Sequence, residues 1–225
     1  MAKIKMGMWM TDARGKSGGH VISKNRGGSY VRTKVTPVNP RTAAQTAIRS
    51  AFAAISSAWS SLNNTARESF NGFVTSYATT DIFGDLRNPS GKALFQKLNL
   101  NLSISNQTQI TTCVSPLAVP ALELTTANID SGAGTASIST TGNVTGQKVV
   151  IWATPPLSQG TKFVKNRLRQ IAVLAGGNAV NYDFQSAYVA KFGFAPAASN
   201  VYVGARVINT NGQASPLEVV KAIST

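Results

Sequence analysis

Beyond an N-terminal arm, the apolar residues of this chain change their period between residues 102 and 122, and that switch restricts the rest of the fold to a helical part followed by a strand part. Ahead of it, Ile48, Phe52, Ile55, Trp59 and Leu62 step by four and three, which is one stripe of a helix. The opposite face is Ala and Ser, suited to close approach by another helix or subunit. Asn39-Pro40 is a turn signal, and Thr42 with Gln45 fits a capping box at the helix start. Asn63 or Asn64 caps a second helix, in which Ala66, Phe70, Phe73 and Tyr77 repeat the step. Two such helices joined by a short loop predict an αα-hairpin with Ile48, Phe52, Ile55, Trp59, Phe70 and Phe73 as its core. Residues 79–89 read as an ordered loop anchored by Ile82 and Phe83. Ser90 caps a third helix whose stripe is Leu94 or Phe95, Leu98 and Leu102.

Beyond the switch the signals are those of strands. Residues 122–126, 135–141, 148–154, 169–174, 201–209 and 217–223 have strand composition and are separated by Gly, Pro and Asn-Gly punctuation. That spacing predicts an antiparallel β-sandwich. Val201, Val203, Ala205 and Val207 alternate inward before a turn at Thr210-Asn211-Gly212. Residues 183–192 interrupt the series with a short helix, Phe184, Ala187, Tyr188 and Lys191 at helical spacing, lying across an end of the sandwich. The expected fold class is therefore α+β and multi-domain: an extended basic arm at 1–36, a small three-helix domain at 37–102, a linker at 103–116, and a sandwich at 117–225.

The arm is where charge concentrates. The chain carries a net +14, and residues 1–50 hold ten Lys and Arg against Asp12 alone. Two runs of strand character, 20–24 and 29–35, flank Asn25-Arg26-Gly27-Gly28, a hairpin turn by its glycines. Tyr30, Arg32 and Lys34 then share one side, and Val31, Thr33 and Val35 the other. A lone hairpin is marginal in water, so the arm must lie on something. Trp9, Arg14, Lys16, Lys24, Arg26, Tyr30, Arg32 and Lys34 are its candidate contact residues, and Lys162, Lys165, Arg167 and Arg169 form a second basic patch. Such patches fit acidic protein surface or nucleic acid. Without a helix-turn-helix, zinc or RNP pattern, nucleic-acid binding would be independent of sequence. Protein contact is the expectation, nucleic acid the alternative.

The segment from Asn39-Pro40 through Thr42, Gln45, Arg49, Phe52, Trp59, Leu62 and Arg67 resembles one found in structural proteins of tailed bacteriophages. The likeness extends over roughly residues 10–100. Asn63 replaces a usual Thr, and Phe70 a usual Trp. Residues 201–219, VYVGARVINTNGQASPLEV, resemble the last two strands of a fibronectin type III or related immunoglobulin-like module, with Tyr202 on the opposite parity from the family's tyrosine. These resemblances imply a virion structural protein: a capsid decoration or cement protein first, a neck, collar or tail protein as the alternative. Its partners would be other virion proteins and copies of itself.

Chemistry finds little purchase. His20 is the sole histidine and lies in the arm; Cys113 is the sole cysteine, so no intrachain disulfide forms and the thiol reads as a small apolar side chain. Asp81 and Asp85 read as turn or cap residues. No catalytic residue, metal ligand or cofactor is expected. Residues 1–10 carry two lysines but no apolar core of signal-peptide length, and no run reaches the roughly 20 apolar residues of a membrane span. The expectation is a protein made in the cytoplasm that reaches the virion by assembly. Only 13% of residues are charged, about half the usual share, which suits packing against copies of itself.

Overall fold

The computed structural model describes residues 2–4, 7–25, 28–80, 86–130, 135–161, 163–178 and 181–224. Arg26, Lys162, Asp81, Ile82, Phe83 and Asp85 lie outside them, as does the Arg26-Gly27 tip of the expected hairpin. The chain divides into two units, 1–46 and 47–225. The division falls in the first turn of the first helix, not at 36/37 or 116/117, so helices and strands of the body belong together.

The first unit is a four-stranded antiparallel sheet built from β1 (Ala2–Lys3), β2 (Gly15–Ser17), β3 (His20–Asn25) and β4 (Gly28–Thr33), in the order β1-β4-β3-β2. The β3–β4 pairing is the expected hairpin; β2 and β1 extend it on either side. A two-residue turn at Gly18-Gly19 joins β2 to β3, and Gly18 sits at φ 55, a conformation other residues adopt only with strain.

The second unit holds all but the first turn of α1 (Ala43–Ser61), then α2 (Asn64–Gly72) and, after a small ribbon of β5 (Thr79–Thr80) and β6 (Leu86–Arg87), α3 (Gly91–Ile104). The caps are those the sequence offers. Asn63 Oδ1 accepts from the Ala66 N–H at 2.8 Å, and Ser90 Oγ from the Ala93 N–H at 3.2 Å. Arg67 closes the α1 end, donating from Nη2 to Ser60 O at 2.6 Å and from Nε to Trp59 O at 3.4 Å. Ile55, Phe70, Leu94, Phe95 and Leu98 form the helical core. Trp59, Phe70 and Phe95 meet as a ring triad with centroids 5.2 to 5.9 Å apart.

Two expectations for this core are corrected. Ile48 and Phe52 are not in it: they are 69% and 45% exposed. The reason is length. At 1.5 Å per residue α1 is about 28 Å long and α2 only about 13 Å, so the second helix reaches just the last turns of the first. Phe73 and Tyr77 continue the α2 stripe but lie beyond its end, half-buried in turns.

The segment expected as a linker is fixed to the body. α3 ends with Asn106 at φ 53, and the Gln107 N–H returns to Leu102 O at 2.9 Å, a left-handed helix stop. Asn99 Nδ2 donates to Ile110 O, the Ile110 N–H to Asn99 Oδ1, and the Cys113 N–H to Ser69 Oγ at 3.0 Å. Cys113 is buried against the helices, where burial pushes its thiol pKa up.

Seven strands follow: β7 (Glu123–Asp130), β8 (Thr135–Thr141), β9 (Lys148–Ala153), β10 (Arg169–Ala175), β11 (Asn181–Asp183), β12 (Asn200–Ile208) and β13 (Glu218–Ile223). They form two antiparallel sheets, β10-β9-β12-β13 and β11-β8-β7, of which β11 is the strand the sequence did not reveal. One cluster joins both sheets: Ile129, Ala136 and Ile138 from one, Val149, Ile151, Val201, Val203, Ala205 and Val207 from the other. α4 (Gln185–Phe192) is the inserted helix; Phe184 and Tyr188 enter this core, and Lys191 Nζ donates to Gln170 O at 2.6 Å. Val150 and Ile208 have the opposite parity yet are 0% exposed. The helical part covers that outer face, bonding Gln107 Nε2 to Ile208 O, Asn101 Nδ2 to Gly212 O and Gln170 Nε2 to Ile104 O.

Candidate functional site

The basic sheet of residues 1–46 is the strongest candidate surface. Opposed residues of an antiparallel ladder share a face, so the register assigns sides directly. Val21 is flanked by Lys16 on one strand and Arg32 on the other, and Tyr30 opposes Ser23 one step along. Two inter-strand spacings put the Lys16 and Arg32 backbones about 10 Å apart on that face. His20, Ile22, Lys24, Val31 and Thr33 occupy the other. Lys16, Lys24, Arg32 and Lys34 are exposed, while Tyr30 is half-buried. Lys34 follows the end of β4, its N–H donating to Gly19 O at 2.8 Å. Arg14 Nε pairs with Asp12 at 3.2 Å, an exposed ion pair that cancels one charge and stabilises little. Trp9 is 96% exposed, between Met8 and Met10, which are exposed as well.

Burial sets this unit apart. None of its residues with a described side chain is buried. Ile22 and Val31, opposite one another, reach only half-burial. Residues 1–46 hold nine Lys and Arg against one Asp, a net of +8, and of the nine Lys3, Lys16, Lys24 and Arg32 stand on the described strands.

The second basic patch is looser. Lys165 and Arg167 lie exposed on a 3-10 turn, Lys165–Arg167, and Arg169 opens β10. Arg169 Nη1 folds back onto Asn166 O and Leu168 O at 2.9 and 3.0 Å, so it holds the turn as much as it faces outward. Phe163 beside them is 93% exposed. Of the helical-hairpin residues, Ile55, Trp59, Phe70 and Phe73 come together, while Ile48 and Phe52 stay on the surface.

A cleft that the sequence did not signal opens beside α3. It has a volume of about 430 Å³, and its walls come from Tyr77, α3, residues 116–119 and the β12–β13 connection. Its residues are up to 139 positions apart in the chain (Tyr77 to Pro216), so no local pattern marks it. Among the described residues no group of three or more His, Cys, Asp or Glu side chains is placed to hold a metal ion, and no helix is long and apolar enough to cross a membrane.

The chain matches no family model and no curated protein. Among solved structures it is similar to a family 76 glycoside hydrolase from a bovine Bacteroides thetaiotaomicron strain, at 18% identity and a TM-score of 0.31. The match covers 47% of this chain and only 20% of that one, and a likeness at this level carries no argument for fold or activity.

Proposed function

We propose that this chain is a non-enzymatic structural protein of a tailed-phage virion, docked to its neighbours through the N-terminal unit, with the outer capsid its first assignment and neck, collar or tail the alternative. The observation that carries the reading is the basic four-stranded sheet in which no described side chain is buried. A sheet gains its stability by covering a face, and this one covers neither by itself. Its like charge disfavours pairing face to face with the same sheet of another copy and favours an acidic surface. The resemblance of residues 10–100 to phage structural proteins supplies the virion context. The body fits the role of a rigid module: seven strands in a three-plus-four arrangement with one shared core support an immunoglobulin- or fibronectin-like assignment.

A specific observation also favours nucleic acid as the partner: Lys16, Tyr30 and Arg32 share one face, two cations with one aromatic ring. Limited proteolysis and salt titration separate the two. On the structural reading residues 1–46 are cleaved in free protein and protected in assembled particles. Replacing Lys16, Arg32 and Lys34 together by Gln then weakens assembly without abolishing it, because exposed charge pairs give about 1 kcal/mol each at most. A log affinity for DNA that falls linearly and steeply with log salt, together with an arm that stays cleavable in intact particles, would replace the structural reading with the nucleic-acid one.

A further inference from the structure

Arg206 stands on the outward parity of β12, on the face where its neighbours Val150 and Ile208 are apolar and fully covered. Its guanidinium carbon lies 5.2 Å from the centre of the Trp152 ring. Its Nη2 donates to Asn101 Oδ1 at 3.2 Å, and Asn101 is itself fixed by donating Nδ2 to Gly212 O at 2.8 Å. A stacked, hydrogen-bonded guanidinium is the arrangement that presents Arg to planar anions. Yet no described carboxylate forms an ion pair with it, and its buried Nε makes no hydrogen bond. Burial lowers its pKa from the usual value, the sign of a charge that has lost water without gaining a counter-ion.

The cleft of about 430 Å³ lies against this residue, and Lys97 on α3 supplies a second cation to its wall. The neutral polar groups there are already engaged. The Tyr77 O–H donates to Val114 O at 3.0 Å and accepts from Gln213 Nε2, while Gln213 Oε1 accepts from the Leu117 N–H at 2.9 Å. Leu98, Leu117, Val119 and two prolines complete the wall, and no carboxylate is among its described residues. We propose that the cleft seats a short acidic peptide segment of a partner protein, its carboxylate between Lys97 and Arg206 and an adjoining apolar side chain against Leu117 and Val119. A nucleic-acid strand would need a longer track of cations than these two and gains nothing from apolar walls. The proposal does not rest on the role of the N-terminal sheet.

The test titrates the full chain with acetyl-Leu-Glu-Leu-amide, acetyl-Leu-Gln-Leu-amide and the acetyl-Leu-Gln-Leu free acid, followed by NMR of the backbone and of the Arg206 side-chain Nε–H. The expected result is binding of one or both carboxylate peptides with Kd on the order of 1 mM, with the neutral amide about tenfold weaker. Whichever carboxylate binds tells whether the source is an acidic side chain or a chain terminus. Lys97→Glu, at an exposed position, should weaken binding about tenfold without moving the thermal midpoint. Arg206→Lys keeps the charge and loses the stacked fork, and should weaken it as well. Absence of shifts with every peptide, equal binding of the neutral amide, or an unaffected Lys97→Glu variant overturns the proposal. Stronger binding of oligothymidylate at the same residues overturns it in favour of a nucleic acid.

Discussion

Single residues divide the aromatic core into parts of unequal weight. Phe70 is 0% exposed at the centre of the Trp59, Phe70 and Phe95 triad, whereas Trp59 is half-buried on its rim. Phe70→Ala should cost about 3–5 kcal/mol of unfolding free energy, and Trp59→Ala less, about 2–3 kcal/mol, as read from denaturant melts. Equal costs would mean that something covers Trp59 in solution. Tyr188 offers a test by pH. Buried in the core of the sheets, its O–H donating to Thr154 O at 3.3 Å, it has a pKa pushed up to about 12 from the usual 10 by desolvation. The unfolded chain therefore releases this proton first, and stability falls as pH rises from 10 towards 12. Tyr188→Phe should show a shallower decline through that window than the parent, whatever its stability at neutral pH. Identical slopes would show that the phenol is solvated.

Among the elements, α1 is the one whose sequence promised more than its fold uses. The stripe Ile48, Phe52, Ile55, Trp59 is uniform by periodicity, but α2 and α3 cover only its second half. Ile48 and Phe52 on the first half are exposed. Ile48→Ser with Phe52→Ser should leave monomer stability within about 0.5–1 kcal/mol, while reducing association measured by sedimentation or incorporation into particles. A large loss of monomer stability would place these residues in the core after all. The β3–β4 hairpin, by contrast, was legible from its glycines and its alternation. Strands β1 and β2 were not, being two and three residues long with no alternation to read. β11 escaped for the same reason, and α4 did not, because Phe184 and Tyr188 are four apart and both enter the core.

At the scale of the whole molecule, the helices and the two sheets below them act as one body. Gly212 takes φ 77 with Leu98 O only 2.3 Å from where a Cβ would stand, and Gln213 bonds Tyr77, Ser115 and Leu117 at once. A fragment of residues 117–225 would lose the cover over Val150 and Ile208. It should melt at least about 10 °C below residues 47–225, which should unfold in a single transition. Matching midpoints would show that the sandwich is independent of the helices. The sequence by itself determined the order of parts, a cap at Ser90 and another at Asn63 or Asn64, the inward parity of β12 and the basic N-terminus, since each rests on neighbours a few positions apart. Only tertiary structure decided that residues 105–116 are fastened rather than loose, that half of the α1 stripe is bare, and that Lys97 and Arg206 line one cleft, with Trp152 stacked under the guanidinium. Those outcomes depend on which surfaces are long enough to cover one another, and periodicity along a chain carries no measure of that.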